Sequence, residues 1–316
     1  MRRPVVAALA ALATLLTTAS ACQPEDPEPT GAEPTAEPTG STGPTETEEP
    51  TTPEPLDPTT VDLGNRVWTY EDAWTAPFEV PLEDGVAEGE WDLAGEGPMV
   101  YDEAERVVVD MDGDDDLDVV APLTYQEQLG GYPWTSWFVW LNDGTDLVQM
   151  PYAIAHQARC VATVEAVEPA GDGPGVRIDR LIMDLGAECA ATPTVEADRT
   201  VVVEHDENGD PWPVQIDPGR FWGGLCVGIG SERSEGEHEQ DVQDNGPFPL
   251  DEAVVAPGLG PVEPPASEET IDLLSSDSDA WYGDLDGWRF AGITFLRDGA
   301  LSTSAADEHC AWAPQG

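Results

Sequence analysis

Six of the nine residues at positions 110–118 are aspartates, in the order Asp-Met-Asp-Gly-Asp-Asp-Asp-Leu-Asp. Asp110, Asp112, Asp114 and Asp118 take positions 1, 3, 5 and 9 of that stretch, a spacing that lets alternate carboxylates converge on one hard cation. The backbone carbonyl of Asp116, at position 7, completes an all-oxygen set. Carboxylates crowded within about 4–5 Å repel one another by several kcal/mol at an effective dielectric of about 20 unless a cation sits among them. The spacing therefore predicts a structural Ca2+ site at Asp110, Asp112, Asp114, Asp116 and Asp118. The pattern is not an EF-hand, because position 12 is Ala121 instead of a bidentate Glu and Gly113 falls at position 4.

No other set of side chains has the spacing of a reaction centre. The histidines, His156, His205, His238 and His309, are scattered, and none lies in an HExxH arrangement. His309-Cys310 lacks the CxxC partner of a structural zinc site. Gly228-Ile229-Gly230-Ser231 has its glycines at the wrong offsets for a nucleophile elbow. With 53 acids in residues 64–316, no carboxylate pair stands out for glycoside hydrolysis. The expectation is a non-enzymatic protein with no catalytic residues; a carboxylate-dependent hydrolase is the weakest alternative.

The loop needs rigid flanks, and β-branched apolar runs on both sides supply them. Strands are expected at residues 106–109, 117–123, 134–141, 161–167, 176–183, 200–205 and 288–296, with turns at Asn142-Asp143-Gly144 and Asn208-Gly209. Along 134–141 both faces are apolar, with Trp134, Ser136, Phe138 and Trp140 on one and Thr135, Trp137, Val139 and Leu141 on the other. That reads as a central strand covered twice. Exposed aromatics there would instead stack on sugars or a partner. A short helix is expected at 268–274, capped by Ser267. The fold class is mainly β: an antiparallel β-rich domain over 64–230, a Pro/Gly/acidic loop or linker over 231–270, and a C-terminal β segment over 271–316 that completes the fold.

The Asp-rich loop, with a strand on each side, resembles the D-x-D-G-D-G-x-x-D calcium loop of FG-GAP and VCBS repeats, with Asp115 where those repeats carry a second glycine. Propellers built from such repeats need several similar blades. Only faint echoes occur, at residues 206–210 and 283–287, so one β-rich domain using the loop once is expected. The order of Trp68 and Trp74, V-P-L-E-D-G at 80–85, the loop running into DVVAPL, and WTSWFVWLNDG is similar to a group of uncharacterised actinobacterial lipoproteins. That resemblance spans roughly residues 65–215 and implies a fold and a location but no activity.

The N-terminal segment agrees with that location. Met1-Arg2-Arg3, a twelve-residue apolar run at 5–16 and Ala19-Ser20-Ala21 have the layout of an export signal over residues 1–21. The run is too short to span a bilayer, which takes about 20 residues. Its end resembles a lipobox, with Cys22 as the lipidated residue, although Ala19 stands where lipoboxes usually carry Leu. Of five cysteines, lipidation of Cys22 leaves Cys160, Cys189, Cys226 and Cys310 for two disulfides. Three connectivities are open, of which 160–189 with 226–310 is the expected one. Residues 22–63 form the anchor and an acidic stalk. Positions 23–60 hold 10 Pro, 10 Thr and 10 acids, a composition that extends the chain and buries little.

Charge narrows the partners. The chain has 12 Arg, no Lys and 64 acids, for a net charge of −52. Phosphate backbones are bound by cations that displace counterions, so nucleic acid is excluded. Contact with the membrane is expected through the lipid anchor only. The expected protein is a lipid-anchored acidic surface protein on the extracytoplasmic face of the cell membrane, or alternatively a secreted one. Its expected role is scaffolding or interaction with an envelope protein. A carbohydrate- or cell-wall-binding module is the alternative.

Overall fold

The computed structural model describes residues 56–71, 77–91, 96–126, 131–159, 161–183, 187–188, 190–226, 252–263, 269–275, 285, 287–297, 300–301 and 309–314. All belong to one compact unit. The chain is mainly β, with antiparallel sheets. The strands run β1 (Val67–Tyr70), β2 (Phe78–Pro81), β3 (Val86–Glu90), β4 (Glu96–Tyr101), β5 (Val107–Val109), β6 (Asp118–Tyr125), β7 (Trp134–Asn142), β8 (Leu147–Gln157) and β9 (Ala162–Pro169). They continue as β10 (Val176–Ile182), β11 (Val195–Glu196), β12 (Arg199–His205), β13 (Pro211–Asp217), β14 (Phe221–Trp222), β15 (Glu269–Ser275), β16 (Trp288–Arg297), β17 (Ala300–Leu301) and β18 (His309–Pro314). No described helix is long and apolar enough to cross a membrane.

The strands stack in layers that the period-2 pattern dictates. A hairpin, β1–β2, covers one face of a first sheet ordered β3-β4-β6-β7-β8, with β5 paired to β6. Trp68, Tyr70 and Val80 pack there against Leu123, Phe138 and Trp140. The opposite face, with Val120, Trp137 and Val139, packs on Val176, Ile178, Val201 and Val203 of a second sheet. That sheet runs β11-β10-β12-β13-β14, with β9 beside β10. Its far side, through Val202, Val214 and Phe221, meets Ala291, Ile293, Ala311 and Ala313 of a third sheet formed by β15 to β18. Thus β7 is covered on both faces, as its two apolar faces require.

The body begins before residue 64. Residues 56–63, read from composition as the end of the stalk, lie against it: Leu63 is fully buried, and Leu56 and Val61 pack on the first core. Arg106 holds this segment, donating to the carbonyls of Pro58 and Thr59 at 3.3 Å and of Val61 at 2.7 Å. The expected helix at 268–274 is instead strand β15, antiparallel to β16 over Glu269↔Leu296 to Ser275↔Ala291. A seven-residue stretch cannot repay helix nucleation alone, so the neighbouring sheet edge decides its form.

His156 is buried on β8, with its Nδ1 2.9 Å from Ser136 Oγ of β7. Burial pushes its pKa down to about 3. The unfolded chain therefore binds the extra proton between about pH 6.5 and 3, so this contribution to stability is complete above pH 6.5 and is lost as pH falls toward 3. His156→Gln should flatten the acid limb of the melting-temperature profile relative to wild type. Parallel thermal melts from pH 4 to 8 measure it, and identical limbs would contradict the assignment.

Candidate metal centre

The Asp-rich loop joins β5 to β6, adjacent strands paired from Val107↔Val120 to Val109↔Asp118. That pairing brings the two ends of the loop together. One carboxylate oxygen each from Asp110, Asp112 and Asp118 lies within 4.8 Å of the others. Asp118 is 2% exposed, and Asp110 and Asp112 are half-buried. Asp114 and Asp116 are exposed and stand outside this group, with Asp114 Oδ1 accepting from the Asp116 N–H at 2.8 Å. Two residues take positive φ, Gly113 at 81° and Asp115 at 73°. Asp115 thus adopts the left-handed conformation that a glycine would reach without strain, and its short polar side chain tolerates it at a cost of about 1 kcal/mol.

Backbone amides hold the carboxylates. Asp118 accepts from Met111 N–H at 2.7 Å and, across the sheet, from Asn142 N–H at 2.8 Å. Asp110 accepts from Gly113 N–H at 2.6 Å and Asp115 N–H at 3.3 Å. Burial still pushes the Asp118 carboxyl up to about 7 against those amide bonds, and the charges of Asp112 and Asp114 push the same way. Asp112 is raised as well, chiefly by burial and then by Asp114, while the Asp114 amide and His205 oppose the shift. His205 Nδ1 lies 3.9 Å from Asp112 Oδ2.

A cation answers this arrangement directly. Each Asp118 oxygen accepts one amide and keeps a second lone pair, so the carboxylate can remain hydrogen-bonded while it ligates. Three aspartate oxygens form a hard donor set suited to calcium, magnesium or manganese over softer metals. Among the described residues no other three acidic, histidine or cysteine groups lie close enough to share an ion.

The loop backbone also reaches the second sheet. Gly175 N–H donates to Asp110 O at 2.7 Å, and Val203 N–H to Met111 O at 2.8 Å. A Cβ on Gly175, whose φ is 95°, would lie 2.4 Å from Val201 O, so only glycine fits there. Sequence reasoning passed over Gly175 and Asn142 as holders of the loop. Asn142 read only as a turn residue, and Gly175 was not singled out.

The other sequence candidates separate clearly. Cys226 and Cys310 are bonded, with Cα atoms 5.8 Å apart. Cys22, Cys160 and Cys189 lie outside the described residues, as does His238. The echo at 206–210 is a turn closed on itself, with Asp206 Oδ1 accepting from Asn208 N–H at 2.8 Å and Asp210 N–H at 3.0 Å. Ser136 and His156 touch and are 0% and 5% exposed. Trp68, Trp137, Trp140, Trp212, Trp222 and Trp312 are buried.

Compared with known proteins, the chain matches no protein-family model, no curated protein and no solved structure.

Asp118→Asn places an amide NH2 against one of two backbone donors, and an unsatisfied buried donor costs about 1–3 kcal/mol. The variant should lose about that much stability, whereas exposed Asp116→Asn should stay within about 0.5 kcal/mol of wild type. Urea unfolding of both in EDTA tests the pair, and equal midpoints would refute the role given to Asp118.

Proposed function

We propose that this is an exported acidic surface protein, lipid-anchored through Cys22 on the extracytoplasmic face of the membrane. In this reading a Ca2+ ion held by the Asp-rich loop braces the body, which acts as a non-enzymatic scaffold or interaction module. The observation that carries it is the convergence of Asp110, Asp112 and Asp118 within 4.8 Å on a loop whose backbone bonds to the second sheet. An ion there would neutralise the carboxylates and stiffen the joint between the first two sheets together. Calcium fits better than magnesium because it accepts irregular oxygen cages, whereas magnesium demands near-ideal octahedra and gives up its waters reluctantly.

The buried tryptophans favour the interaction role over glycan binding, since sugar stacking uses exposed aromatic faces. Among the described residues the large exposed apolar side chains are Val67, Val86, Leu117, Tyr132, Val148 and Ile216, which include one aromatic ring. Specific retention of residues 23–316 on purified peptidoglycan would reverse that preference.

Thermal melts in EDTA, calcium and magnesium at matched ionic strength test the ion. At a calcium concentration of about a hundred times Kd, binding adds about 2.7 kcal/mol, which raises Tm by about 5–10 °C for a body of this size. Equal shifts in calcium and magnesium would mean general screening of a chain with a net charge of −52, and the site would be rejected. The anchor is tested separately. Cys22→Ala should move the protein from the membrane fraction to the medium and abolish acyl labelling; an unchanged membrane fraction would remove Cys22 from the reading.

A further inference from the structure

A second cluster, distinct from the carboxylate loop, lies where the second sheet meets β8 and β18. Arg199 opens β12 and is 3% exposed. Its guanidinium donates to Ile154 O of β8 and, at 3.3–3.4 Å, to Gly224 O, while Nε has no hydrogen-bond partner among the described residues. Arg180 on β10 donates through Nε to Ala197 O at 2.7 Å, which brings both arginines to the same short stretch of chain. Gln215, 2% exposed on β13, has Nε2 at 3.5 Å from Gly219 O and 3.4 Å from His309 Nδ1. His309 is stacked on Phe221, with centroids 4.3 Å apart.

The cluster is rich in donors and poor in acceptors. Guanidinium groups only donate, and the bonds from Arg199 to Gly224 and from Gln215 to Gly219 are long. Among the described residues no carboxylate pairs with the guanidinium of Arg180 or Arg199. The nearby acid, Asp198, gives one oxygen to Arg177 at 2.9 Å and the other to the Arg180 backbone N–H at 3.3 Å. Burying positive charge without a counter-charge costs several kcal/mol. Asp198 offsets part of the Arg180 charge, whereas among the described residues no acid does so for Arg199. Burial keeps His309 neutral, and the charges of Arg180 and Arg199 act on it in the same direction.

We propose that Arg180, Arg199 and Gln215 form a binding site for one small anion of the carboxylate or oxyanion class. The planar guanidinium fork matches two oxygens of such a group, and the Arg199 Nε–H supplies a donor left unused among the described residues. A molecule of net charge −52 repels anions from its surface, so an anion held here is held by contacts and not by the long-range field.

Isothermal titration of the full chain with sodium acetate, phosphate and sulfate, at ionic strength fixed with sodium chloride, tests the site. At least one of the three should bind saturably at a single site. Its affinity should fall about tenfold or more in Arg180→Gln, and binding should be lost in Arg199→Gln. Arg177→Gln, which removes the same charge from the exposed side of β10, should leave affinity within about twofold of wild type. If Arg199→Gln fails to fold, Arg180→Gln at its half-buried position decides alone. No saturable binding of any of the three up to about 10 mM would overturn the proposal, as would equal affinity in Arg180→Gln and wild type.

Discussion

Positive charge is the scarce resource of this protein, and the architecture depends on where it is placed. With 12 Arg and 64 acids, the chain cannot pair most of its carboxylates with cations. It uses its arginines to join elements instead. Arg66 ties the hairpin to β8 through Leu147 O and Asp146 and lies over Trp140 at 5.8 Å. Arg106 grips residues 58–61, and Arg199 bridges the second sheet to β8. Arg220 forms a two-pronged pair with Glu204 and exchanges backbone bonds with Glu263. Several of these contacts end on carbonyls, where a guanidinium adds no screening to the surface charge but does fix geometry.

The burden of cohesion falls on the apolar layers. Surface ion pairs contribute little even in balanced proteins, so a body this acidic must gain its stability from burial. Four faces of alternating residues provide it, and β7 contributes to two of them. Carboxylates that cannot find an arginine turn to backbone amides. Asp110 and Asp118 do so in the loop, Asp143 and Asp206 in their turns. The difference among them is burial. Asp143 sits in an open turn, whereas Asp118 is enclosed and carries a desolvation that a cation would relieve.

Much of this was legible in the sequence because burial leaves a period. The strands flanking the Asp-rich loop, the doubly apolar run at 134–141 and the turns at 142–144 and 208–209 all follow from local chemistry. The layer order did not, since nothing local says that Val201 and Val203 face the first sheet while Val202 faces the third. The segment at 268–274 was misread for the same reason. Its capping pattern suited a helix, but its partner strand lies about twenty residues downstream. Within the loop, spacing named five aspartates, and the fold gathers three of them. Asp114 has the right spacing but is exposed, a distinction that depends on how β5 and β6 close the loop. Arg199 was silent in the sequence, because one arginine among acids announces nothing until its neighbours are seen to be carbonyls.

The bond between Cys226 and Cys310 spans 84 residues and attaches β18 to the chain just after β14. Because β18 pairs with β16 and packs on the second sheet, the crosslink turns everything between its ends into a closed covalent ring. A peptide bond hydrolysed anywhere inside that ring opens the ring without dividing the molecule. Where degradative enzymes act on whatever loops they reach, a single cut in this region would leave the polypeptide in one piece and β18 still tethered. After a single cut there, the piece carrying β18 would separate covalently only if the disulfide were also reduced.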